Sequence, residues 1–190
     1  MNERDFQKLR KKALEELFRI GKCYETGDGV SKDEAASVKW YRLAAKQGSS
    51  EAMFELGKCY AFGIGVRQNR ASAAKWMRKA AEQGLVKAMN HLGRWCLFEQ
   101  SVVYDPREAV KWFREAAENG DGWGMFYLGE CYEDGVGVKK DLDAACVWFC
   151  RAAVAAPDDE ELYQSVQNKV YSPELKEVRD NLKTNPSSPQ

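Results

Sequence analysis

Leu56-Gly57-Lys58-Cys59-Tyr60-Ala61-Phe62-Gly63-Ile64-Gly65-Val66, then Ala73-x-x-Trp76 and Ala80-Ala81-x-x-Gly84, is one copy of a pattern repeated four times at a spacing of 36 residues, without a gap. Gly21, Gly57, Gly93 and Gly129 stand in one column; Trp40, Trp76, Trp112 and Trp148 stand in another. Val30, Val66, Val102 and Val138 keep the register, as do the pairs Ala44-Ala45, Ala80-Ala81, Ala116-Ala117 and Ala152-Ala153. A fixed period of this length marks stacked supersecondary units, none of which can bury its apolar face alone.

Each unit resolves into two helices. Ala52, Met53, Leu56, Gly57 and Tyr60 fall on one arc at helical spacing, and Gly63 and Gly65 supply the positive φ that ends the helix. This is helix A. A second arc through Ala73, Trp76, Met77, Ala80 and Ala81 forms helix B, closed by Gly84. Asp33, Asn69, Asp105 and Asp141 share the column before helix B, where a side-chain oxygen can accept from the orphan amides of a helix start. Asp105-Pro106 with Glu108 adds a first-turn proline and a capping box. The paired alanines and the mid-helix glycine permit close helix contact, and the tryptophan column is expected to wedge between helices A and B.

These residues resemble the Sel-1-like repeat, a relative of the tetratricopeptide repeat, over roughly residues 13–156. The resemblance implies an all-α, right-handed α/α superhelix that acts as an adaptor or scaffold in protein assemblies. The repeats are expected at about 13–48, 49–84, 85–120 and 121–156, after an N-terminal helical extension. The third departs from the pattern: Cys96 takes the tyrosine column, and Glu99-Gln100-Ser101 replaces Gly-x-Gly, so a differently shaped turn is expected there.

Equal numbers of basic and acidic residues, 29 of each, argue against a general nucleic-acid or membrane binder. The charged stretch from Met1 to Lys12 lacks a signal-peptide core and no stretch is long enough to span a bilayer, so a cytoplasmic location is expected. The six cysteines show no Cys-x-x-Cys, and His91 is the single histidine, so no metal site and no cofactor are expected. Cys23, Cys59 and Cys131 share one column and cannot close a bridge within their own repeat; all six are expected as free thiols packed as small apolar groups. His91 and Cys96, five apart on a helix, are poorly placed for a catalytic couple, and no residue is assigned to catalysis.

The helix A face opposite the core arc is the expected partner site, a concave groove for a protein or peptide segment. It includes Phe54, Lys58, His91, Arg94, Trp123, Phe126 and Tyr127, mixing stiff rings with charges that fix register. Two readings of the Phe18, Phe54, Phe126 column stand: packing against the next repeat, or contact with a ligand. A glycan-binding or host-ligand protein of the cell envelope, with Trp123 stacking on sugar, is one alternative function. A thiol hydrolase resembling the cysteine-rich β-lactamase-like relatives is another.

On helix B, Lys39 and Arg42, Lys75 and Arg78, and Lys111 and Arg114 form a basic stripe. At the fourth repeat the face turns apolar through Val147, Cys150 and Val154, which points to a second interface covered by the chain's own end or by a second subunit of a homodimer. After Ala156-Pro157 the 36-residue register is expected to stop. Residues 157–183 read as capping helices, first through Leu162, Val166 and Val170 and then from Ser172-Pro173, and 184–190 read as a disordered tail.

Overall fold

The computed structural model of the chain describes residues 2–97, 104–176, 178 and 180. Among them the chain forms helices α1 (Glu3–Thr26), α2 (Glu34–Lys46), α3 (Ser50–Phe62), α4 (Arg70–Glu82), α5 (Val86–Leu97), α6 (Pro106–Glu118), α7 (Gly122–Asp134), α8 (Leu142–Ala155) and α9 (Glu160–Val170), and no strand. The described residues fall into two compact units. One carries α1 to α4 and α5 as far as Leu92; the other carries the rest of α5 from Gly93 and continues through α9.

The helix starts follow the cap column. Asp33, Asn69, Asp105 and Asp141 are the N-caps of α2, α4, α6 and α8, each accepting from a backbone amide of the first turn. Their own amides close the hairpins by donating to the carbonyls of Tyr24, Tyr60, Cys96 and Tyr132 at 2.8–2.9 Å. The third repeat closes in the same way without Gly-x-Gly, although its turn, Glu99 to Ser101, lies outside the described residues, as does the tail from 181 onward. The Glu108 carboxylate accepts from Trp112 Nε1 at 3.1 Å, and the Asp105 amide that a capping box would engage donates to Cys96 instead.

What stands on each glycine is not the tryptophan. Tyr41, Met77, Phe113 and Phe149, one residue further along helix B, lie against Gly21, Gly57, Gly93 and Gly129. A Cβ on Gly93 would sit 2.5 Å from the Phe113 ring, and one on Gly129 would sit 2.7 Å from Phe149. The four seated side chains are 0–1% exposed, whereas Trp40, Trp76 and Trp148 are half-buried. These three tryptophans roof the helix pair at its edge, with Lys79 at 5.0 Å from the Trp76 ring centre and Arg151 at 4.9 Å from that of Trp148, whereas Trp112 is buried at 4% exposure. The expected wedge is therefore corrected by one position: the glycine removes its side chain so that the residue after the tryptophan can enter.

The sequence pattern stops at Pro157, as expected, but the helix spacing carries on. Helix α9 repeats α7 one period on, and two bonds join residues 36 apart: Trp123 Nε1 donates to Asp159 at 3.0 Å and Lys169 Nζ to Glu133 at 2.7 Å. Its pattern is turned over. Leu162 and Val166, in columns where α7 carries Phe126 and Glu130, are buried with Phe126, Phe149 and Leu175 in the terminal core. Glu160, Glu161, Gln164 and Asn168, in columns that elsewhere receive a helix B, are exposed. A polar outer side is what a capping unit of a repeat array needs to stay in solution.

Candidate functional site: the helix A faces

In the first unit the helix A face is an ion network. Lys22 Nζ reaches Glu25 at 2.8 Å and Glu55 at 3.3 Å, and Lys58 Nζ reaches Glu55 at 2.8 Å. The Tyr41 hydroxyl donates to Glu25 at 2.5 Å. Burial disfavours the Glu25 charge, but the bonds from Lys22 and Tyr41 win and hold its carboxyl below the usual range. Lys58 also lies 5.6 Å from the Phe54 ring centre. Phe54 itself is only 8% exposed and meets His91 edge to face at 5.0 Å. His91 is exposed.

In the second unit the same face is aromatic. The Arg94 guanidinium lies 5.6 Å from the Tyr127 ring centre, and Tyr127 packs on Phe113 at 5.1 Å and on Trp123 at 5.7 Å. Burial raises the Tyr127 pKa, the Arg94 charge opposing, so the phenol remains a neutral donor. Phe126 is 7% exposed inside the terminal core, where it meets Phe149 at 5.5 Å. Phe54 and Phe126 thus both pack against neighbouring side chains and expose little of their rings. Trp123 is half-buried and tied by its indole nitrogen to Asp159. Its indole is thus engaged by the N-cap of α9, the first of the expected capping helices. Of the seven residues expected on this face, His91 and Arg94 are exposed and Lys58 and Tyr127 half-open. Phe62, 69% exposed at the end of α3, stands in the same helical row as Lys58.

The outer side of α8 forms an apolar hollow of about 510 Å³ lined by Met125, Val147, Cys150, Arg151, Val154 and Ala155. Val154 is 81% exposed. Cys59, Cys96, Cys131 and Cys146 are buried, as packed thiols should be, and Cys150 is exposed. Burial pushes the Cys59 and Cys131 thiols up to about 11 and about 12. Cys150 moves the other way, down to about 6, because the Cys146 thiol donates to it. Iodoacetamide at neutral pH is accordingly expected to label Cys150 first and to leave Cys59 and Cys131 intact in the folded protein. The Cys150 rate should fall as the thiolate takes up its proton below about pH 6. Peptide mapping of the label checks this; a Cys150 rate still climbing in proportion to hydroxide well above neutrality would contradict it.

No group of three or more metal-ligating side chains occurs among the described residues, and no described helix is long and apolar enough to cross a membrane. The Sel1 repeat profile matches residues 17–49, 50–85, 86–121 and 124–153. A search of curated protein sequences finds no match. Among solved structures, a Sel1 repeat protein from Oxalobacter formigenes is 35% identical with a TM-score of 0.73, covering 82% of this chain. The chain spans 62% of the length of that protein. A protective antigen of uropathogenic Escherichia coli with an SLR fold is 19% identical, covering 93% of this chain and 64% of that one, at a TM-score of 0.31. The immunity protein Pa5087 of Pseudomonas aeruginosa is 16% identical, covering 90% of this chain and 80% of that one, at a TM-score of 0.39. With four matched repeats and an all-α array of helix-turn-helix units, the chain belongs to the Sel1 repeat family.

Proposed function

We propose that this protein is a non-enzymatic cytoplasmic adaptor that holds a segment of a partner protein on its helix A faces. Sel1 repeats are protein-interaction modules, and this chain supplies what such a face needs. The observation that carries the proposal is the exposed Arg94 above the half-open Tyr127, with Trp123 and Phe126 packed beneath it. A guanidinium fixed over a ring that is itself fixed from below presents donors whose orientation costs little on binding. Lys58 and His91 supply the polar counterpart in the first unit. The apolar hollow at Val147, Cys150 and Val154 supports a second contact, with another protein or a second copy of this chain, because an 81% exposed valine beside two further apolar residues is a surface that association would bury.

Affinity purification from the cell of origin, run in parallel with wild type, Arg94→Glu and Val154→Asp, tests both contacts. Arg94→Glu is expected to reduce recovery of the partner about tenfold or more without moving the thermal midpoint, since Arg94 is exposed. Equal recovery by wild type and Arg94→Glu would remove the helix A reading. Loss with Val154→Asp alone would move the partner to α8.

A further inference from the structure

The basic stripe of helix B is built into a groove in the second unit. The outer side of α6 and the turn after α7 enclose a hollow of about 540 Å³. Arg107, Lys111 and Arg114 rise along one wall at i, i+4 and i+7, and Val110 and Val138 form an apolar floor. A second hollow of about 520 Å³ shares Arg107, Gly137 and Val138 and adds Lys139, so the basic wall continues past the turn. Asp105 also lines it, but its carboxylate is committed to the amides of Arg107 and Glu108 as the cap of α6. The opposite end is acidic, with Glu115 and Glu118.

The cations are not uniformly loose. Arg114 Nη2 donates to the Tyr132 hydroxyl at 3.1 Å, which orients the guanidinium and leaves its other N–H groups free to face the groove. The Lys111 ammonium lies 5.5 Å from the Trp112 ring centre. The floor is equally fixed: Gly137 stands so close to the Pro106 carbonyl that a Cβ there would collide with it. The same construction recurs in the first unit, where Arg42 Nη2 donates to Tyr60 at 3.0 Å and Gly65 lies against the Glu34 carbonyl. An arginine held by the tyrosine of the next repeat, with a lysine three residues before it, is thus a repeated element and not a single accident of side-chain placement.

We propose that the groove along the outer side of α6 docks an acidic stretch of a partner protein, its carboxylates on Arg107, Lys111 and Arg114. Charge complementarity selects the occupant, and bidentate pairing suits arginines whose planes are already set. The acidic end at Glu115 and Glu118 repels the same carboxylates and accepts a basic residue, so it gives the bound segment a direction. The apolar floor admits a small apolar side chain between the acids. Exposed pairs are individually weak, so binding is modest in strength and fades as salt rises.

The site lies on helix B and is independent of the helix A proposal. Fluorescence anisotropy of a short labelled peptide with glutamate at alternate positions, and of its glutamine counterpart, tests it on the full chain at low salt. The glutamate peptide is expected to bind and the glutamine peptide not. Lys111→Glu and Arg114→Glu should each weaken binding about tenfold or more, whereas Lys176→Glu, an equal charge change at an exposed site outside the groove, should alter it by less than about twofold. Tyr132→Phe keeps every charge but releases Arg114, and a loss of about threefold is expected. Absence of glutamate-peptide binding, equal loss with Lys176→Glu, or tighter binding of a labelled RNA oligonucleotide or of phosphatidylserine vesicles would overturn the proposal.

Discussion

Phe149→Ala is expected to cost about 3 to 5 kcal/mol of folding stability, in the range for buried aromatics truncated in a core. Phe149 is 0% exposed. Its ring fills the seat left by Gly129 and touches Phe126 at 5.5 Å, with Leu162 and Leu175 in the same cluster. The cavity cannot collapse easily, because α9 is held to α7 independently through Trp123 with Asp159 and Lys169 with Glu133. The half-buried Trp148 beside it should cost roughly 1 to 2 kcal/mol when truncated, since it loses part of its area and its contact with Arg151. Urea titration of the two variants checks the order. A larger loss at Trp148 than at Phe149 would return the wedge to the tryptophan column and refute the assignment of the seat.

Gly137→Ala and Gly29→Ala should differ although the two residues share a column and a backbone. Their φ angles are +73° and +70°. Alanine in the left-handed region costs about 1 to 2 kcal/mol at either site. At Gly29 nothing lies within 4 Å of the added carbon, so the cost ends there. At Gly137 the carbon meets the Pro106 carbonyl and lies 3.0 Å from a Val110 methyl, so backbone must move. The displaced turn adds about 1 to 3 kcal/mol, as overpacking does elsewhere. The glycine is thus required twice at Gly137, once for its torsion and once for the approach of the turn to the preceding helix B. At Gly29 no neighbouring backbone comes within 4 Å, and only the torsion remains. Thermal denaturation of both variants measures the difference; equal losses would mean that the close approach carries no energy.

The helices, their caps and their stops were legible because each rests on a residue type with a local mechanism: Asp or Asn before helix B, glycine at positive φ after helix A, alanine where helices touch. The seat of the glycine was hidden because its occupants, Tyr41, Met77, Phe113 and Phe149, share no identity, while the neighbouring tryptophans do. Apolarity and volume were kept there, and letters were not. The open face was partly legible: His91 and Arg94 are exposed where the pattern puts them, because a charged or polar residue opposite a core arc has little reason to turn inward. Phe126 and Trp123 are less open than their columns suggested, for one cause. Leu162 of α9 and its N-cap Asp159 reach them from a helix whose columns invert the repeat, so a pattern match ends where the helix begins.

Side-chain footprinting by hydroxyl radicals, on the protein alone and with the partner recovered by wild type but lost by Arg94→Glu, addresses the adaptor claim most directly. His91, Tyr127 and Phe62 carry the readout on the helix A faces, and Met125 and Tyr104 report elsewhere. The account predicts that oxidation of His91 and Tyr127 falls several-fold in the complex while Met125 and Tyr104 are unchanged. Protection of Met125 with His91 and Tyr127 oxidised as before would contradict it and place the partner on the outer side of α8.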